Sequence, residues 1–109
     1  MRKPKHTPAP WGRNIRPGRK YPVVFAGRNT HVAQVIPGNL PDEEVEANLD
    51  LVLAAPYLLD ALQQCRDQFA LYVQNHLAKS PADLEKAATN RQFVDLCDSA
   101  IAKAMGGEA

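Results

Sequence analysis

The chain predicts an α+β fold: a small N-terminal antiparallel β-meander of about three strands, packed on three α-helices. The last two helices form a long antiparallel helical hairpin. Three observations carry this. The β-branched runs "YPVVFA" and "HVAQVI" flank the turn "GRNT" (27–30), the pattern of a β-hairpin. After "IPGNLP" (36–41) the apolar period changes to that of a helix. Pro56 and Pro81 then interrupt the helical pattern, and proline suits the first position of a helix better than its interior.

Residues 1–10 hold Pro4, Pro8 and Pro10 among charges, which predicts a basic, extended and partly disordered arm. Residues 11–109 are expected to form one domain, with its sheet in 11–37 and its helices in 41–105. Trp11, the single tryptophan, is the expected packing anchor at its start. "RPGRK" (16–20) is a turn, because Pro17 presets φ and Gly18 takes positive φ; it separates the weaker strand "WGRNI" from "YPVVFA". Pro22 opens its strand, a position tolerated at a sheet edge. Pro41 and the acids Asp42, Glu43 and Glu44 suit a helix start, and Val45, Leu49, Val52 and Leu53 form its apolar stripe. Pro56 is read as a corner: a short helix from about Pro41 to Ala54, then a long one starting at Pro56. That second helix carries Leu58, Leu59, Leu62, Cys65, Phe69, Val73, His76 and Leu77 on one stripe. Ser80 as cap, Pro81 at the first position and Asp83 completing a capping box begin the third helix. Its inward set is Leu84, Ala88, Val94, Cys97, Ile101 and Met105, and Gly106 and Gly107 end it.

The totals exclude several classes. At 109 residues and 45% apolar content the core is thin, and chains of this size often gain stability by self-association. A dimer or larger homo-oligomer is therefore expected. No run approaches the ~18–20 apolar residues of a membrane span, and the basic start lacks the apolar stretch of a secretion signal. The expected location is cytoplasmic. The net charge of +1 conceals an asymmetry. Residues 1–41 hold eight basic residues and no acid (+8); residues 42–109 hold five basic residues and all twelve acids (−7). This points to an anionic partner for one half, or to attraction between the halves.

Chemistry is harder to find. There is no P-loop, GxGxxG, HExxH, GxSxG or CxxC pattern, and neither a catalytic residue, a metal site nor a cofactor is expected. Cys65 and His76 share a helix face but lie about 16 Å apart along the axis, too far for a dyad. Glu46, Asp50, Asp60 and Asp67 read as solvated. Cys65 and Cys97 are expected to be buried, reduced neighbours across the helical hairpin. Two polar sets stand out. Asn48 borders the buried stripe of the first helix; if buried, it must find hydrogen-bond partners, either a sheet or loop carbonyl or a ligand. Arg28, Asn29 and His31 cluster at a hairpin tip. With Asn48, and with Trp11 or Phe25 as a stacking ring, they form a candidate site for a small anionic ligand. Arg13, Arg16, Arg19 and Lys20 make a second, anion-facing set around the preceding turn. Antiparallel strands put the two turns at opposite ends of the middle strand. One pocket holding both sets needs two subunits or the arm.

"HTPAPW" (6–11), a glycine-bearing hairpin and "EANLDLVLAAPYLLDAL" (46–62) resemble small accessory proteins of bacteriophages and prophages. In these, a His-Thr-Pro-x-Pro-Trp start precedes Glu-Ala-Asn, Ala-Ala-Pro and Leu-Leu. The likeness covers roughly residues 6–65, not the C-terminal hairpin. It implies a setting, the cytoplasm of an infected bacterium, more than a mechanism. Short phage proteins without catalytic residues often antagonise host defence, by occluding a defence complex as anti-CRISPR proteins do or by sequestering a cyclic nucleotide. The resemblance therefore implies a non-enzymatic protein that inhibits or sequesters a host defence component. The alternatives are a nucleic-acid-binding module built on the basic first third, with weak or no duplex binding expected, and a structural or assembly protein of the phage.

Overall fold

The computed structural model describes residues 6–15, 18, 20–27 and 30–106. Arg16, Arg19, Arg28 and Asn29 lie outside the described residues, as do residues 1–5 of the predicted arm. The elements run β1 (Trp11–Asn14), β2 (Val23–Ala26), β3 (Thr30–Gln34), α1 (Asp42–Ala78) and α2 (Leu84–Ala104). They fall into two compact units, Met1–Leu58 and Leu59–Ala109.

In the first unit the strands form the expected meander, in the order β1-β2-β3 with antiparallel pairing throughout. Trp11 lies opposite Ala26, and Phe25 lies opposite His31. The β2–β3 register shifts between Val24 and Phe25; such a bulge leaves one residue unpaired and increases local twist. Gly27 holds φ +68° at the hairpin turn, where a side chain would be strained. Pro22 precedes the central strand rather than an edge strand. Standing just outside β2, it owes no N–H to the sheet. One face of the sheet closes on the start of α1. Val24, Val45 and Leu49 are fully buried, with Trp11, Tyr21, Val32, Ala33, Val35, Val52 and Leu53 packed against them. The stripe read from the sequence is thus the observed core face.

The three-helix expectation is corrected. α1 is one α-helix of 37 residues with Pro56 inside it. Proline costs a helix interior about 3 kcal/mol, because it removes one backbone hydrogen bond and crowds the preceding turn. Good helix formers, Ala54 and Ala55 before it and Leu58 and Leu59 after it, carry the helix past that point, and buried residues anchor it upstream at Leu49 and downstream at Val73.

In the second unit the rest of α1 and α2 form the long helical hairpin. Its seam is Val73, Ala87 and Val94 with Phe69 and Ala70 against them, and Cys97 is also buried. α2 is capped by Asp83, not Ser80: the Asp83 carboxylate accepts the Lys86 amide at 3.1 Å. Asp83 stands immediately before the first helical residue, and from there its carboxylate reaches one of the free first-turn amides. The inward set is also narrower than predicted. Leu84 is 68% exposed, Leu58 and Leu77 are exposed, and Ala87 replaces Ala88 in the seam. A hairpin of two helices buries a strip spaced three and four residues apart, whereas a wide stripe needs a further layer.

Candidate functional site

The acids at the start of α1 recur at four-residue spacing, Asp42, Glu46 and Asp50, and so share one side of the helix. The sheet answers them with its cations. From β1, Arg13 donates to Glu46 at 2.5 Å and to Asp50 at 3.3 Å. Ahead of β2, Tyr21 Oη donates to Asp42 at 2.5 Å and Lys20 Nζ lies 3.4 Å from the same oxygen. The Tyr21 hydrogen bond, then the Lys20 ammonium, hold the Asp42 carboxyl below its ordinary range. Tyr21, then Asp42, raise Lys20 above its own. Part of the charge asymmetry therefore closes within the chain. Glu46 and Asp50, read as merely solvated, are partners of Arg13. The signal was present: a ladder of acids at positions i, i+4 and i+8 follows 41 residues that contain none.

The other predicted residues are distributed as follows. His31 and Phe25 meet, ring centroids 5.4 Å apart and tilted by 33°; Phe25 is buried and His31 is exposed, so of the two rings the histidine faces solvent. Trp11 packs on the core and donates its indole N–H to the Thr7 carbonyl at 3.1 Å. His6 places its ring edge-on to Trp11 at 6.4 Å and its Nδ1 3.0 Å from the same carbonyl. The "HTPAPW" segment thus forms a local clip at the start of the sheet. Asn48 is half-buried beside Leu49, and among the described residues its side chain has no hydrogen bond. Arg13 and Lys20, expected to face an anion, hold the chain's own carboxylates.

Beside this network the strand ends form a groove of about 270 Å³, lined by Lys20, Tyr21, Val23, Val35, Ile36 and Pro37 among others. Its lining is mainly apolar, and Ile36 stands 78% exposed at its rim. In the second unit Cys65 is exposed and Cys97 buried, which corrects the expectation of two buried thiols. Burial, then the neighbouring Cys65, raises the Cys97 thiol above its ordinary value. Arg66 bonds Asp98 at 2.9 Å across the hairpin, and that bond raises the guanidinium further. Among the described residues no group of His, Cys, Asp or Glu could hold a metal ion. Among them, too, no helix is long and apolar enough to cross a membrane.

Sheet, long helix and helical hairpin define a small α+β protein. The chain belongs to the family described as Salmonella phage P22 protein Y8K6, whose model matches residues 1–108. No curated protein and no solved structure matches it.

Proposed function

We propose that this chain is a non-catalytic accessory protein of the phage that binds a host protein in the bacterial cytoplasm, components of host defence being the target class. Membership of a phage protein family supports the setting. The observation that carries the reading is the groove under Ile36. A large apolar side chain exposed over a concave, mainly apolar lining is the form of a protein-docking site. Lys20 at its edge is already paired with Asp42, so the apolar lining carries the docking.

Two other readings have less support. A nucleic-acid module would use the basic first third, yet Arg13 and Lys20 are engaged with Glu46, Asp50 and Asp42. A cyclic-nucleotide sponge would need Phe25 or Trp11 as an open stacking face, and Phe25 lies buried beside His31 while Trp11 packs on the core.

Tagged protein captured from infected cells should retain a host protein that rebinds when both are purified. Ile36→Asp should abolish that binding and leave the melting temperature unchanged, since Ile36 is exposed in the free chain. Retention of the same partner by Ile36→Asp, or recovery of nucleotide or nucleic acid alone, overturns the reading.

A further inference from the structure

We infer that the helical hairpin pairs with a second copy of itself through the side marked by Tyr72 and Leu96. The hairpin has two flanks. One is a groove lined by Ala70, Val73, Gln74, Leu77, Arg91 and Val94. The other is marked by Phe69 and Phe93, whose rings touch across the helices at 5.0 Å. On α1, Cys65 and Tyr72 lie four residues before and three after Phe69, hence on that same side; Tyr72 meets the Phe69 ring at 6.4 Å. On α2, Leu96 and Ala100 follow Phe93 by three and seven residues. Cys65, Tyr72, Phe93, Leu96 and Ala100 are all exposed.

Three observations select a copy of this chain as the occupant. The first is the seam. Among the described residues of this unit Val73, Ala87, Val94 and Cys97 are the buried ones, a single narrow strip, whereas helical folds bury their apolar faces against further helices, as two hairpins do in a four-helix bundle. The second is area. An aromatic side chain covers roughly 150–250 Å². Tyr72 and Phe93 are 42% and 43% exposed, and Leu96 is 69% exposed. At those exposures Tyr72 and Phe93 leave roughly 130–210 Å² open, and Leu96, Cys65 and Ala100 extend the patch. A homodimer of standard size buries about 800 Å² per partner, about two-thirds of it apolar, so the patch supplies the apolar centre of such an interface.

The third is charge. Glu85 and Lys103 stand at opposite ends of the α2 column that contains Leu96, and both are exposed. Two α2 helices packed antiparallel about a two-fold axis near residue 94 bring Glu85 of each copy to Lys103 of the other, with Leu96 and Phe93 at the centre. A two-fold interface must be self-complementary in this way. This inference is independent of the groove under Ile36.

Sedimentation equilibrium on the full chain should give a dimer at micromolar concentration. Leu96→Asp should shift it to monomer, while Ile36→Asp should not. Glu85→Lys should weaken the dimer about five-fold, and Glu85→Lys with Lys103→Glu should restore it. Labelling of Cys65 should slow as protein concentration rises, while Cys97 stays slow throughout; this measurement on the unaltered chain decides the matter even if Leu96→Asp fails to fold. A monomer at all concentrations, or Cys65 labelling independent of concentration, overturns the inference. So does protection of Cys65 by a host protein alone.

Discussion

The Tyr21 hydroxyl donates to an Asp42 carboxylate that also holds Lys20, and Asp42 titrates below its ordinary value as a result. A carboxyl whose folded value is depressed stabilises the fold above its unfolded value of about 3.9, and that contribution is lost as pH falls through the folded value. Lys20 is raised, so its contribution is complete below about 10.4 and is lost as pH rises through its folded value. Tyr21→Phe removes the larger of the two influences on Asp42. Its carboxyl should then titrate higher when followed by NMR. The gap in melting temperature between the native chain and Tyr21→Phe should shrink as pH is lowered from about 5 to about 3. An unchanged Asp42 titration in Tyr21→Phe would show that the hydroxyl does not hold the carboxylate.

Helix boundaries are decided at the scale of the element. A proline in the interior of α1 forgoes one ladder bond, yet the helix runs from Asp42 to Ala78 through it. Pro56→Ala should restore the bond and raise stability by about 1–3 kcal/mol. For a domain of this size each kcal/mol corresponds to roughly 4–8 °C in melting temperature, within easy reach of calorimetry. A lower melting temperature for Pro56→Ala would mean that the ring itself packs in a way alanine cannot replace. The start of α2 lies a few residues beyond the predicted one for a related reason. Ser80, Pro81 and Asp83 are all competent near a helix start, and it is the Asp83 carboxylate that meets the free Lys86 amide.

For the whole molecule the deciding quantity is where the charge goes. A net charge of +1 gives little long-range attraction for a polyanion, and the Arg13 and Lys20 pairs neutralise part of the basic first third. Duplex DNA should therefore bind weakly near 0.15 M salt, with a shallow dependence on salt concentration, because few phosphates are neutralised and few counterions released. Fluorescence anisotropy with a labelled duplex measures this. Submicromolar affinity with a steep salt slope would return the nucleic-acid reading to first place.

The sequence by itself determined the local period of each segment: strands either side of Gly27, a helical stripe through Val45 and Leu49, a hairpin pattern in the last third. These were legible because side-chain alternation and helical spacing are properties of neighbouring residues. The anchoring place of Trp11 and the positive φ of Gly18 were legible from residue type alone. Only the tertiary structure decided that Pro56 lies within one helix, that Cys65 is exposed while Cys97 is buried, and that Arg13 meets acids 33 and 37 positions away. Each of these depends on which surfaces meet, and local spacing leaves that open. A stripe shows which side of a helix is apolar, but whether that side is covered depends on the layer packed against it. A cation shows its charge, but whether it faces a ligand or the chain's own carboxylate depends on the geometry that brings the sheet to α1.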